Sequence, residues 1–471
     1  MTGRFVRSLA LLVGVLGASV LPAGSTLDPQ TVARIDALVE HDMEQGVAPG
    51  VSIAIARGGR LLYARGYGEA DLAQHTAATA STAYAIGSVT KQFTATAILL
   101  LQQEHRLSID HRLSKYVPEL RGAGRITLRE LLQQRSGVPD YTRIPGLDPI
   151  KGMGWSAFID AVNRLPEEFA PGSAFRYNNL NYLLLGRVVE RVAGMPYERF
   201  VRERIIWPLH LESTGFLGDG AARATGYARA ANGFVPAPIW DASLLGGAGS
   251  MTSSALDLVR WDAALQSGEL LGPGALMLLE QGASENGYAM GWVSERAGDE
   301  RLLWHNGEIA GFHAMNAMLA SQHLFVAVLV NGDAAPQAVP PERLARQLIG
   351  VLAPASALGE EATAQQQGVP ADPVLASRVG RWIAQLAAGA IDRTELTPEM
   401  NAALTPDLVA KTAAAWGPLG KPTGIEVLGH QGRGDLDSYV LRVEFAQGPF
   451  IWKIVVTRDG RLAGAGGLEP Q

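Results

Sequence analysis

Ser88 and Lys91 stand three residues apart in Ser88-Val89-Thr90-Lys91, the one S-x-x-K string in the chain. A serine hydroxyl attacks a carbonyl only when a neighbouring base takes its proton. On a helix, positions i and i+3 share a face, so the Lys91 amine would reach the Ser88 hydroxyl. A first-turn location would also put Ser88 beside free backbone N–H groups and the positive end of the helix dipole. A second group is Tyr177-Asn178-Asn179. A phenol acts as a base if its pKa falls, and a nearby ammonium such as Lys91 favours the phenolate. Asn179 could donate into the neighbourhood of Lys91 or to a substrate carbonyl. The third is His305-Asn306-Gly307, followed by Glu308. Gly307 lets a substrate backbone approach the strand closely, and His305 could hydrogen-bond to Tyr177 or to a substrate.

These residues need elements to carry them. The pattern from Val89 to Gln103 is helical and apolar, which suits a buried helix behind Ser88. Residues 29–46 read as a helix, with Val32, Ile35, Leu38 and Val39 on one face. Val51 to Ala56 and Leu61 to Tyr67 flank Gly58-Gly59 and read as a hairpin. Helical segments and loops dominate residues 100–285, including 127–134, 155–164, 180–194, 197–206 and 254–267. Strand character returns at 291–293, 302–305, 313–319 and 324–330, and a helix is expected over 341–352. The expectation is an α+β fold: one sheet built from both ends of the domain, a helical subdomain between them, and a cleft where they meet.

Composition narrows the chemistry. A net charge of −6 argues against a nucleic-acid partner, which needs clustered Lys and Arg. The chain has no cysteine, so disulfides, thiol catalysis and thiolate metal sites are excluded. No His-Glu-x-x-His string occurs, and the nine histidines lack metal-ligand spacing, so neither a metal nor another cofactor is expected. No G-x-S-x-G occurs, which excludes the α/β-hydrolase elbow. Residues 1–25 read as a secretory signal peptide, with Arg4 and Arg7 before an apolar run from Leu9 to Leu21 and small residues at 23–25. That run is short for a bilayer span of ~20 residues. The expectation is an exported protein, periplasmic or secreted, without a stable membrane anchor.

In their order and spacing, the three groups resemble the class C β-lactamase-like serine hydrolases and penicillin-binding proteins, over about residues 28–352. Supporting strings are Ile126 to Leu132 leading to Ser136-Gly137-Val138-Pro139, Pro171-Gly172 with Phe175, and Tyr182 to Gly186. Pro208-Leu209, Gly249-Ser250-Met251 with Asp257-Leu258, Met290-Gly291-Trp292 and Asn331-Gly332 match as well. The resemblance implies a β-lactamase/transpeptidase-like fold and acyl transfer. Ser88 would attack, Lys91 and Tyr177 would shuttle the proton, and the backbone N–H groups of Ser88 and Glu308 would form the oxyanion hole. It departs from the pattern at the third motif, where β-lactamases of the family usually carry Lys-Thr-Gly. With the cation replaced by His305 and a carboxylate added at Glu308, an anionic β-lactam is disfavoured. Esters, amides or peptides without that carboxylate fit, including ones with a free amine. β-Lactam or cell-wall D,D-carboxypeptidase chemistry is the alternative, and a binding or sensing protein without turnover a third. Gln134-Arg135 stands where the family often has His-Thr.

Residues 353–373, rich in Ala, Gln, Gly and Pro, read as a linker. Residues 374–471 read as a small α+β unit, with helices at 375–390 and 397–415 before strands at 425–428, 438–445, 450–457 and 462–466. Its pattern, with Asp459-Gly460-Arg461-Leu462-Ala463-Gly464, is similar to the nuclear transport factor 2-like cone domains. Trp382, Trp416 and Trp452 are read as core aromatics.

Overall fold

The structure is a computed structural model that describes residues 26–466, apart from 45, 47, 220–222, 231–232, 281–286, 298, 334–340, 357–368, 434 and 447. The expected signal peptide and most of the expected linker lie outside the described residues.

The hairpin forms at Gly58-Gly59, where both residues take left-handed φ values of 55° and 76° that glycine adopts without strain. It joins β1 (Gly50–Arg57) to β2 (Arg60–Asp71). With β3 (Thr76–Ala77), β4 (Tyr288–Ala289), β5 (Trp292–Ala297), β6 (Glu300–Ile309), β7 (Phe312–Leu319) and β8 (Leu324–Val330) these form one sheet, in the order β3-β2-β1-β8-β7-β6-β5-β4. The central pairs are antiparallel, and β1 joins the two ends of the domain by pairing Val51 to Arg57 against Val330 to Leu324.

Both faces of this sheet are covered, and β1 shows how its sequence allows that. Val51, Ile53 and Ile55 point to a core shared with α1 (Pro29–Glu44) and α5 (Pro341–Leu352), through Ile35, Val39, Leu344 and Leu348. Ser52, Ala54 and Ala56 alternate with them, and Ala54 and Ala56 belong to the core on the opposite face. Their small side chains let α4 (Ala255–Ser267) pack on that face beside α2 (Thr90–Gln103) and α3 (Asn179–Ala193). A strand buried on both sides thus sorts its residues by size instead of polarity. The expected elements appear within a few residues of their expected ends, and Pro341–Leu352 matches in full.

The last part of the chain has its own core around Trp382, Trp416, Trp452, Phe450 and Leu441. α6 (Pro373–Ala387) and two shorter helices pack on a five-stranded antiparallel sheet. Its strands are β9 (Val369–Pro370), β10 (Gly424–Arg433), β11 (Leu436–Phe445), β12 (Gly448–Thr457) and β13 (Leu462–Gly466), in that order. Where one helix was expected over 397–415, there are two, Pro398–Ala403 and Pro406–Trp416. Pro406 has no N–H to continue a helix, and Thr405 caps the second one instead.

Candidate active site

Ser88 lies on a single 3-10 turn, Gly87–Val89, that runs into α2. One turn later, Lys91 is fully buried and surrounded by three oxygens. Its Nζ is 2.8 Å from Ser88 Oγ, 2.8 Å from Asn179 Oδ1 and 2.9 Å from the Ala248 carbonyl oxygen. None of the three is charged, and burial pushes the Lys91 amine well below its ordinary range. As a free amine, Lys91 gives its two protons to Asn179 Oδ1 and the Ala248 carbonyl, oxygens that can only accept. Its lone pair is then left for the Ser88 hydroxyl proton.

Tyr177 and Asn179 arrive together at the start of α3. Asn178 caps that helix by accepting from Leu180 N, and its Nδ2 donates to the carbonyls of Val138 and Pro139. The Tyr177 ring centroid is 4.9 Å from Lys91 Nζ, and its phenol interacts with the Ser88 hydroxyl. Tyr177 keeps 40% of its surface open to the cleft. It nevertheless sits deep in the protein mass, and loss of water pushes its pKa up. Burial therefore works against the expected phenolate, and it equally disfavours the ammonium form of Lys91 that would have supported one.

The third group reaches the nucleophile through backbone contact. β5 pairs with β6 only as far as Trp304, so residues 305–309 pair on one side, with β7, and their other edge turns toward Ser88. A Cβ at Gly307 would lie 1.9 Å from Ile86 O and 3.2 Å from Ser88 N. One at Gly87, where φ is +47°, would lie 2.8 Å from Glu308 N. The two glycines thus let the backbone at Ser88 and the backbone at Glu308 approach closely, the contact that the expected oxyanion hole needs.

His305 is not where the motif suggested. It is buried and does not line the cleft; its ring lies 6.0 Å from that of Tyr177, but its Nε2 is 3.1 Å from the Tyr288 hydroxyl and makes no hydrogen bond to Tyr177. Burial, the largest cause, pushes its pKa down to about 3. The imidazole is neutral at working pH and cannot replace the cation of the usual third motif.

Sequence reasoning missed two residues here. Gln134 is fully buried, and it holds both sides of Tyr177: its backbone carbonyl accepts from Arg176 N and its Oε1 from Asn178 N, each at 3.0 Å. Its signal was the departure from the family pattern at Gln134-Arg135, to which no role was attached. Tyr288 stands two residues before Met290-Gly291-Trp292, and its type alone carried no signal.

Before these groups lies a cleft of about 600 Å3. Ser88, Tyr177, Asn179 and the edge residues Asn306 and Glu308 line it, together with Trp240, Tyr141 and Asp333. Glu308 and Asp333 are the charged side chains of that lining, and both are acidic. Among the described residues, no cluster of three potential ligands could hold a metal ion, and no helix is long and apolar enough to cross a membrane.

A two-faced antiparallel sheet, a helical subdomain and a Ser–Lys–Tyr cluster at their junction define the β-lactamase/transpeptidase architecture. The chain belongs to the Beta-lactamase family, which it matches over residues 35–350. It is 30% identical over 321 residues to Protein flp of Staphylococcus aureus, covering 63% of this chain and 62% of that one. The chain thus spans less than two thirds of the length of the curated relatives it matches first. A D-stereospecific amidohydrolase from Streptomyces sp. superposes with a TM-score of 0.57 at 28% identity, over 64% of this chain and 94% of its own. The octameric penicillin-binding protein homologue from Pyrococcus abyssi shares the fold, with a TM-score of 0.59 at 22% identity over 92% of this chain and 99% of its own.

Proposed function

We propose that this protein is an exported serine hydrolase that cleaves an ester, amide or peptide bond through an acyl-enzyme on Ser88. The observation that carries this reading is the setting of Lys91: buried, 2.8 Å from Ser88 Oγ, with its other two hydrogen bonds to oxygens that can only accept. The substrate carbonyl sits in the hole formed by the N–H groups of Ser88 and Glu308. Ser88 Oγ bonds to the carbonyl carbon while its proton passes to Lys91 Nζ. Such donors contribute ~3 kcal/mol each to stabilising the oxyanion in other hydrolases. The Tyr177 phenol, which lines the cleft beside Ser88, relays the proton to the departing alcohol or amine as the carbonyl re-forms. Water then attacks the acyl carbon and loses its proton to Lys91; the bond to Ser88 Oγ breaks as Lys91 returns that proton to it, releasing the acid and restoring the free amine.

The cleft selects by charge. With His305 neutral and withdrawn, and with Glu308 and Asp333 lining the cleft, an acyl substrate bearing a carboxylate near the scissile bond meets like charge. An amide or ester carrying a free amine meets opposite charge. The amidohydrolase likeness supports an amide or peptide, and residues 1–25 support export.

The experiment is intact-mass labelling of the mature protein with a fluorophosphonate and a fluorescent penicillin, alongside turnover of a p-nitrophenyl ester. Each is compared with Ser88→Ala. Expected are Ser88-dependent fluorophosphonate labelling and ester turnover, no penicillin adduct, and complete loss in a folded Ser88→Ala. A Ser88-dependent penicillin adduct would move the reading to cell-wall chemistry. Retained activity in Ser88→Ala would overturn the nucleophile.

A further inference from the structure

We propose that Tyr288 is a positioning residue of the reaction: its hydroxyl fixes the His305 ring, and the two rings together hold the Tyr177 phenol against Ser88. The inference rests on Ser88 being the nucleophile.

Three aromatic rings from three separate parts of the chain meet behind the cleft. Tyr288 comes from β4, His305 from β6 and Tyr177 from the turn before α3. Their centroids form a triangle with sides of 5.7 Å between Tyr288 and His305, 5.9 Å between Tyr288 and Tyr177, and 6.0 Å between Tyr177 and His305. Tyr288 meets the other two edge-on, at 86° and 75°, an attractive arrangement for aromatic faces. Phe175 closes the far side of Tyr288 at 6.1 Å.

The hydrogen bonds give this triangle a direction. His305 Nδ1 lies 2.6 Å from the Asn306 carbonyl oxygen, which can only accept, so Nδ1 carries the proton. Nε2 is then a bare acceptor, and the Tyr288 hydroxyl 3.1 Å away donates to it. Both ring nitrogens are thereby occupied without substrate and without Tyr177. The titratable groups facing the imidazole are Tyr288 on β4, Tyr177 before α3 and Lys91 on α2, and Tyr182 on α3 lies next to Tyr288. His305 therefore moves no proton in the reaction. What it does is present a ring of fixed tilt to Tyr177, and the fixing group is the Tyr288 hydroxyl. A buried hydroxyl must find a partner to be tolerated, and beside His305 the Tyr288 hydroxyl interacts with the Gln134 and Tyr182 side chains. The register supports the same conclusion: β4 is two residues long and pairs only with Trp292 and Val293, so its side-chain contacts anchor Tyr288 more than its ladder does.

The test compares wild type with Tyr288→Phe, which keeps the ring and removes the hydroxyl. It reads p-nitrophenyl ester kinetics from pH 5 to 9, the rate of fluorophosphonate labelling, thermal unfolding and the 15N-histidine NMR spectrum. Removing one hydrogen bond of this kind is expected to lower kcat about tenfold, with KM little changed. Taking away a donor that stabilises the neutral imidazole moves the His305 titration upward, a change that packing alone would not produce. In a double-mutant cycle, Tyr288→Phe added to His305→Gln should cost far less than in wild type, because the first change acts through the second. If Tyr288→Phe does not fold, His305→Gln alone should show the same loss in kcat at unchanged KM. Wild-type kcat and labelling rate in a folded Tyr288→Phe, or additive losses in the cycle, would overturn the inference. Failure of the wild type itself to label at Ser88 would instead overturn the nucleophile and leave the hydrogen bonds of His305 unaffected.

Discussion

Gly307→Ala adds a single methyl group where β6 touches the Ser88 turn. The new carbon would lie 1.9 Å from the carbonyl oxygen of Ile86 and 3.2 Å from Ser88 N. The first contact is with backbone, which cannot swing aside as a side chain would. Reaching the 3.0 Å below which such contacts are essentially never found requires the strand and the turn to part by about 1.1 Å. That movement separates the two N–H groups that would bind the oxyanion. A displacement of ~1 Å at a reacting centre costs on the order of a hundredfold in rate, and loss of one oxyanion donor costs about 2.7–4 kcal/mol, or 10²–10³ in kcat. The expectation is therefore a drop of about a hundredfold or more in kcat for ester turnover. Overpacking should also destabilise the fold by about 1–3 kcal/mol. The assay is steady-state ester hydrolysis with thermal unfolding on the same samples, and fluorophosphonate labelling to count competent Ser88. A folded Gly307→Ala with kcat within threefold of wild type would refute the reasoning, because it would show that the hole is not built from these two strand and turn amides.

Lys91 gives the pH prediction. Its amine must be unprotonated to take the Ser88 proton, so kcat/KM should fall with acid as pH drops through its depressed pKa, and Lys91→Met should lose at least a thousandfold of activity, on the order expected for removing a catalytic base and its oriented nucleophile. Unfolded, the same amine titrates near 10.5. Between the folded and unfolded values, unfolding takes up a proton, so this group makes the folded protein more stable as pH rises, by about 1.4 kcal/mol per unit where the difference is complete. Denaturant melts of wild type and Lys91→Met across pH should differ by that slope, and parallel curves would show that Lys91 is charged when folded. Glu308→Lys should raise kcat/KM for acyl substrates bearing a carboxylate and lower it for those with a free amine. Equal effects on both classes would show that the cleft does not select by charge.

The legible part of the site was the part written in local spacing. Ser88 and Lys91 share a helix face whatever surrounds them, and the helix-start pattern near Asn178 is local too. The strand at 324–330 was visible because its Leu, Phe and Val run is short, apolar and rich in β-branched residues, a pattern that persists when both faces are buried. The single helix expected over 397–415 failed at Pro406, where the absence of an N–H outweighed an otherwise continuous apolar pattern.

Long-range placement was not legible. Nothing near residue 134 says that its amide holds the Tyr177 turn, because that bond spans 44 residues of sequence. The protonation states went the same way. From sequence, Lys91 looked like an ammonium beside a phenolate, but the fold buries both groups, and desolvation favours the neutral form of each. His305 likewise looked free to face a substrate until β4 placed Tyr288 against its Nε2. The sequence by itself determined which groups were available for chemistry and which helices and strands would carry them, because residue type and local periodicity are properties of a short stretch of chain. Only the tertiary structure decided which of them carry protons and which partners hold them, because pKa values and hydrogen bonds depend on water excluded by segments far apart in the chain.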